Sequence, residues 1–281
     1  MAVYGGPPSV PLTTSGCRAA GRWEFTVTAV PERSALIERA RLLKDLHRNR
    51  PLVLPTVWDT WSARLAVDAG FPALTVGSHP VAESIGATDN EGMTADQAFA
   101  AIGRITAAAG VPVSADVESG YGLSPDDLVE RLLGAGAVGL NVEDTVHSEG
   151  GRLRSSEEHA AYIRGVRQAA DAAGVPVVIN ARTDFFTSAA DPLPLLEEGM
   201  ARLRALVEAG ADSLYPVRVK SSDEAVRAIT AAMPVPVNIT ARPGTDTLAH
   251  LRDLGAGRIT FGPLLQAVLG ERAGELLSAW R

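Results

Sequence analysis

The stretch Ala108-Ala-Gly-Val-Pro-Val-Ser-Ala-Asp-Val-Glu-Ser-Gly-Tyr-Gly122 carries the chain's repeating phrase in one line. A helical pattern ends on glycine, which accepts the left-handed conformation that closes a last turn. Proline follows two residues later and bars further helix. A short apolar run then stops at two carboxylates, Asp116 and Glu118, and breaks into a glycine-rich loop. The turn recurs as Asp68-Ala-Gly-Phe-Pro72, Gly134-Ala-Gly-Ala137, Ala172-Ala-Gly-Val-Pro176, Glu208-Ala-Gly-Ala211 and Asp253-Leu-Gly-Ala256.

Working outward from these turns, strands are expected at 51–57, 72–77, 112–117, 137–143, 176–182, 212–217, 235–240 and 258–262. Their β-branched, apolar character suits strands buried on both faces. Helical patterns lie near 33–48, 59–69, 94–109, 124–134, 156–173, 195–209, 222–232, 246–254 and 263–279. This alternation predicts an α/β chain closed into a (β/α)8 TIM barrel. An open doubly wound sheet is the competitor. It calls for a phosphate-binding glycine loop after the first strand, and Pro55-Thr-Val-Trp-Asp-Thr60 is not one.

The chain has 281 residues, 46% of them hydrophobic, enough for one barrel domain over residues 32–281. Residues 1–31 are rich in Gly, Pro, Ser and Thr and read as a flexible or loosely packed extension. They lack the basic-then-apolar order of a secretion signal. A net charge of −7 argues against a nucleic-acid surface. No apolar run reaches membrane-spanning length. Cys17 is the only cysteine, which excludes an internal disulfide and a cysteine-based zinc site. The cytoplasm is the expected compartment.

In a barrel of this kind the reactive groups sit on loops after the strands' C-terminal ends. The second strand ends at Gly77-Ser78-His79 and leads to Asp89 and Glu91; the third gives Asp116 and Glu118. The fourth gives Glu143 and Asp144, and the fifth ends in Asn180-Ala-Arg-Thr-Asp184. The sixth ends at Tyr215-Pro-Val-Arg218 with Lys220 beyond, and the seventh in Asn238-Ile-Thr240. Alternation puts Asp116 and Glu118 on one side of their strand. Together with Glu143 they suit a hard cation with oxygen ligands, Mg²⁺ or Mn²⁺. Arg182 can fork onto a substrate carboxylate. Ser78 and nearby amides can hold another anionic oxygen. Such a site suits chemistry through an enolate.

The chain resembles the isocitrate lyase/phosphoenolpyruvate mutase superfamily from about Ala35 to Leu269. The resemblance rests on Gly77-Ser78, Gly86-Ala-Thr-Asp89, Asp116-Val-Glu-Ser-Gly-Tyr-Gly122, Val142-Glu-Asp144, Asn180-Ala-Arg-Thr-Asp184 and Asn238-Ile-Thr240. It implies a Mg²⁺-dependent barrel that cleaves or forms C–C or P–C bonds beside a 2-oxo acid. It also implies a homo-oligomer, dimer or tetramer, in which a C-terminal helix is exchanged between subunits. By this resemblance Asp116 matches the direct metal ligand, and Glu118 and Glu143 match acids that hold metal-bound water. Arg182 matches the arginine on the substrate carboxylate. Gly77 and Ser78, with His79 adjoining, match the loop at the oxo-acid end. Asp89 matches an acid on the segment after the second strand.

One motif departs. Lyases of the superfamily carry a Lys-Lys/Arg-Cys-Gly-His stretch after the fourth strand, and here the chain reads Asp144-Thr-Val-His-Ser-Glu-Gly-Gly-Arg-Leu-Arg154. His147 is the acid/base candidate in that loop. The superfamily glutamate after the sixth strand is also missing, with Val217 near its place. The expected activity is a Mg²⁺-dependent carbon–carbon lyase acting on a small 2-oxo or 2-hydroxy carboxylic acid. Asn238 either binds that acid or satisfies backbone groups. The alternatives are a phosphoenolpyruvate mutase- or phosphonopyruvate hydrolase-like enzyme, with Arg152, Arg154 and Arg218 as phosphonate groups; a Schiff-base aldolase through Lys220; and a non-catalytic ligand-binding barrel.

Overall fold

The computed structural model describes residues 32–48 and 51–281, so the extension expected over 1–31 and the lone Cys17 lie outside the described residues. The strands are β1 (Leu52–Leu54), β2 (Thr56–Val57), β3 (Leu74–Val76), β4 (Val113–Asp116), β5 (Gly139–Val142), β6 (Thr145–Val146), β7 (Arg152–Leu153), β8 (Val178–Thr183), β9 (Ser213–Pro216), β10 (Asn238–Thr240) and β11 (Arg258–Thr260). β2, β3, β4, β5, β8 and β9 lie side by side in parallel, and so do β1, β11 and β10. A parallel bridge, Leu214 to Val237, joins the two arcs on one side. On the other side β1 and β2 are two halves of one expected strand. Pro55 interrupts it because it has no N–H to give; its carbonyl still accepts from the Thr75 amide at 3.0 Å. The ring closes into a (β/α)8 barrel.

The helices are α1 (Arg33–Leu46), α2 (Thr60–Asp68), α3 (Ser78–Ser84), α4 (Ala95–Ala109), α5 (Pro125–Gly134), α6 (Ser156–Ala173), α7 (Leu196–Glu208), α8 (Asp223–Ala232), α9 (Leu248–Asp253) and α10 (Leu264–Ser278). Their starts are written in local chemistry. Asp59 accepts from the Ser62 amide and caps α2, while Thr94–Gln97 and Ser155–Glu158 form capping boxes on α4 and α6. Gly110 and Gly174 close α4 and α6 at φ 67° and 68°, the left-handed caps expected from the repeated turns. Helix residues such as Ile102, Ile105, Leu128, Leu132, Ile163 and Leu203 are buried against the strands. α1 turns Leu36, Ala40 and Leu43 inward at the strands' N-terminal end. A Cβ at Gly139 would come within 2.9 Å of Leu43 Cδ2, so glycine is what lets α1 seat there.

Inside the barrel the filling is unusually polar. Ser114, Asn141, Asn180, Ser213, Asn238 and Arg258 are all buried, where such barrels pack mostly branched apolar side chains. Two features were not foreseen. The stretch after β3 winds into α3 directly at Ser78 instead of remaining a loop. The segment after β5 forms an antiparallel hairpin, β6 with β7, turning at the left-handed Gly150 and Gly151. α10 has no buried residue, and Leu276, Leu277 and Trp280 around its end are 57%, 68% and 90% exposed. Among the described residues no helix is long and apolar enough to cross a membrane.

Candidate active site

Asp116 ends β4 and Glu118 follows two residues later in a strained loop. Glu118 and Tyr121 have φ of 50° and 53°, a left-handed conformation that non-glycine residues rarely adopt. The turn is held by what surrounds it. The Glu143 amide donates to the Glu118 carbonyl at 2.8 Å, lacing the loop after β4 to the one after β5. Arg154 donates to the carbonyls of Glu143 and Ser119 at 3.1 and 3.0 Å and lies over the Tyr162 ring.

Arg182, on β8, is the hub. Its Nη1 lies 2.5 Å from Glu143 Oε2 and 3.6 Å from Asp116 Oδ2, and its Nε lies 2.8 Å from Asp184 Oδ1. Its guanidinium also sits 5.9 Å from the centre of the Tyr215 ring. Asp116, the last residue of β4, and Glu143, the first after β5, thus share one cation at the strands' C-terminal mouth. Asp144 plays a supporting part. It accepts from Thr183 Oγ1, the Asp184 amide and Arg202, which fixes the end of β8. His147 Nε2 lies 2.6 Å from Glu143 Oε1.

The segment after α3 folds onto the same acids. The Glu91 amide donates to Glu118 Oε2, and the Tyr121 hydroxyl donates to Glu118 Oε1 at 2.9 Å. Glu91 Oε1 in turn accepts from Ser119 Oγ at 2.5 Å and the Tyr121 amide at 3.1 Å. Asn90 and Glu91 themselves have φ of 64° and 58°. Asp89 Oδ2 lies 3.0 Å from His79 Nδ1. Ser78 is buried behind Gly77, where a Cβ would meet Thr56 Cγ2 at 2.6 Å.

The acids are short of positive charge. Burial raises Asp116, with Arg182 opposing. Burial, then the Asp116 charge, pushes Glu118 up to about 7. Burial pushes Glu143 up to about 8 against the pull of Arg182 and His147. The hydrogen bond to Glu143 raises His147. Glu143 Oε2 has no hydrogen-bond partner among the described residues, although it faces Arg182. As they stand, no three His, Cys, Asp or Glu side chains among the described residues converge tightly enough to cage an ion. This donor set still fits Mg²⁺, which keeps several waters and needs only one or two carboxylates directly. Asp116 would hold it, with Glu118 and Glu143 holding its waters.

Other expected residues are committed elsewhere. Asn238 faces the barrel interior and donates to Thr260 Oγ1 at 3.0 Å, and its Oδ1 has no hydrogen-bond partner among the described residues. Lys220 is paired with Asp246. Arg152 is paired with Glu149 and Glu158 on the hairpin's outer side. Strand-end position alone gave Glu91 no role and passed over Arg258. Arg258 is fully buried, its Nη2 3.2 Å from both Ser114 Oγ and Asn141 Oδ1, and burial brings its guanidinium down to about 9. Its inward position on a strand was the available signal.

The sequence profile of the family described as phosphoenolpyruvate phosphomutase matches residues 43–279. A crystal structure from Burkholderia cenocepacia J2315, named provisionally as a phosphonomutase, has TM-score 0.79 and 42% identity, covering 86% of this chain and 99% of that one. An oxaloacetate decarboxylase of Bradyrhizobium sp. (strain BTAi1) is 31% identical over 77% of this chain and 74% of its own length. A 2-methylisocitrate lyase of Salmonella typhimurium is 32% identical over 72% of this chain and 68% of its own. The chain belongs to the phosphoenolpyruvate phosphomutase family, within the isocitrate lyase/phosphoenolpyruvate mutase superfamily.

Proposed function

We propose that the protein is a Mg²⁺-dependent lyase, also served by Mn²⁺, that cleaves or forms a C–C bond in a small 2-oxo or 2-hydroxy carboxylic acid. The observation that carries this reading is the gathering of Asp116, Glu143 and Asp184 around Arg182 at the barrel's C-terminal mouth. Two relatives, a decarboxylase of oxaloacetate and a lyase of 2-methylisocitrate, break such bonds. Asp116, with Glu118 and Glu143 in support, would hold the ion, which when bound would supply Lewis-acid stabilisation of developing negative charge on oxygen. Arg182 turns its fork to the substrate carboxylate, and the buried Ser78 with Gly77 and His79 lines the oxo-acid end. The 2.6 Å contact of His147 with Glu143 supports His147 as the acid/base of the loop after β5. Asp89, steadied by His79, covers the site from the segment after α3. Asn238 stands below as a polar floor.

A P–C bond enzyme is the second reading, favoured by the name of the Burkholderia structure. Two of its three candidate arginines, Arg152 and Arg154, are already engaged with other groups. The Schiff-base route is weakened by the Lys220–Asp246 pair, which occupies the amine. A ligand-binding barrel without catalysis leaves the strained, buried carboxylates unexplained.

The same proposal includes a cytoplasmic homo-oligomer that exchanges α10. The outer face of β1 and β11, where an eighth helix would pack, holds a cavity of about 270 Å³ lined by Val53, Phe71, Leu251, Ile259 and Phe261. α10 packs Leu265 and Leu269 only partly against the core and fully buries none of its residues, while Leu276 and Leu277 near its end stay exposed, which supports a partner for that face. The test of function is a screen of Mg²⁺-dependent turnover on oxaloacetate, alkylmalates, methylisocitrate, isocitrate and phosphonopyruvate. C–C cleavage abolished by chelator is expected. Turnover that ignores chelator refutes the mechanism, and turnover of phosphonopyruvate alone moves the assignment to the second reading.

A further inference from the structure

Resting on that reading, we propose that Arg258 is a positioning residue: it anchors a polar layer beneath the site, and its fixed positive charge favours negative charge on the ligand above. Arg258 opens β11, in register with Leu52 of β1 and Asn238 of β10, and is fully buried inside the barrel. Its Nη2 donates at 3.2 Å to Ser114 Oγ on β4 and to Asn141 Oδ1 on β5. The same Asn141 Oδ1 accepts from Asn180 Nδ2 on β8 at 2.8 Å, and Asn180 Oδ1 accepts from Ser213 Oγ on β9 at 2.7 Å. Each of these residues stands two positions before a residue of the site. Ser114 precedes Asp116, Asn141 precedes Glu143, Asn180 precedes Arg182 and Ser213 precedes Tyr215. Strand alternation sends both members of such a pair to the same side. The hydrogen-bonded layer therefore lies roughly 7 Å below the site, two residues down each strand.

A neutral layer could have bridged these strands. Arginine does it at a cost. Its Nε and Nη1 have no hydrogen-bond partner among the described residues, and the side chains it touches through Nη2 are uncharged. Burial brings the guanidinium down to about 9, while Tyr215 and Asp116 work the other way, so it stays a cation at neutral pH. Tyr215 and Asp116 are both groups of the site above. A methionine of similar length would fill this space without the penalty of desolvating a charge. A cation kept in a low-dielectric interior, with the Asp116 carboxylate as the acid that bears on it, extends its field to the mouth of the barrel. There it adds to Arg182 without touching the ligand.

The test compares oxalate with oxamate, which have nearly the same shape but differ by one negative charge. Binding to the full chain at saturating Mg²⁺ is measured by calorimetry. Arg258→Met removes both the charge and the hydrogen bonds. Arg258→Gln removes the charge but keeps a donor toward Asn141, and decides the matter if Arg258→Met does not fold. In either neutral variant the oxalate-to-oxamate affinity ratio should fall at least about threefold, the scale of one charge acting across roughly 10 Å of protein. Arg258→Lys should hold the ratio within about twofold of wild type. Loosened packing alone weakens both probes together and leaves the ratio where it was. An unchanged ratio in a folded neutral variant, or a fall in Arg258→Lys as large as in Arg258→Gln, overturns the proposal. Failure of wild type to bind either probe sinks the underlying reading of the site instead.

Discussion

Replacing Glu118 by glutamine isolates the electrostatic burden of the metal-free site. The carboxyl lies at about 7 against an ordinary 4.5, pushed up by burial and then by Asp116. At about 1.4 kcal/mol per tenfold change in proton affinity, that gap amounts to roughly 3 kcal/mol. The folded protein holds this proton more tightly than the unfolded chain does. Stability is therefore lost as pH rises from about 4.5 to about 7, and the loss is complete above the folded value. Glutamine cannot ionise and escapes the loss. In excess chelator, the difference in Tm between Glu118→Gln and wild type should grow by roughly 6–12 °C between pH 4 and pH 8, at about 2–4 °C per kcal/mol. A constant offset will ride on it, because the amide oxygen can accept from the Glu91 N–H but its NH2 can no longer accept from the Tyr121 hydroxyl, which must turn to become the acceptor. Saturating Mg²⁺ should shrink the pH-dependent part by giving the ionised carboxylate a cation. Scanning calorimetry across pH, with and without metal, checks both arms. A difference that does not vary with pH in chelator refutes the electrostatic account.

Asp116→Ala should abolish turnover while the circular dichroism spectrum stays that of wild type; retained activity counts against Asp116 as the ligand. His147→Gln should cut kcat by about 10²- to 10⁴-fold and spare KM if His147 carries the proton; an equal rise in KM would make it a binding residue instead. Ending the chain after Pro263 removes α10 and should give monomers by light scattering, whereas an unchanged oligomer mass would exclude exchange of that helix.

The barrel was legible because its signals are local. Gly110 and Gly174 announce helix ends, and the β-branched runs after them announce strands, since each depends on a residue's own torsional preferences and nearest neighbours. The acids were legible for a related reason: a strand's end fixes which mouth a side chain reaches, so Asp116, Glu118 and Glu143 could be placed together without knowing any contact. Glu91 was harder to assign. Its role comes from a loop that returns across 28 residues to meet Ser119, and no short-range pattern marks that return. α3 was missed because Gly77-Ser78-His79-Pro80 reads as a loop until the packing of Pro80 against Gly77 is seen. Lys220 and Arg154 were open as chemical groups until Asp246 and two backbone carbonyls claimed them.

Sequence alone determined the alternation of strands and helices, the closure it implies and the mouth at which the carboxylates collect. Tertiary structure decided which charge meets which: Arg182 with three acids, Arg258 buried among neutral side chains, Lys220 with Asp246. The physical reason is that backbone periodicity is set by torsions within a few residues. The partner of a long charged side chain depends on the register between strands distant in sequence, and that exists only once the ring has closed.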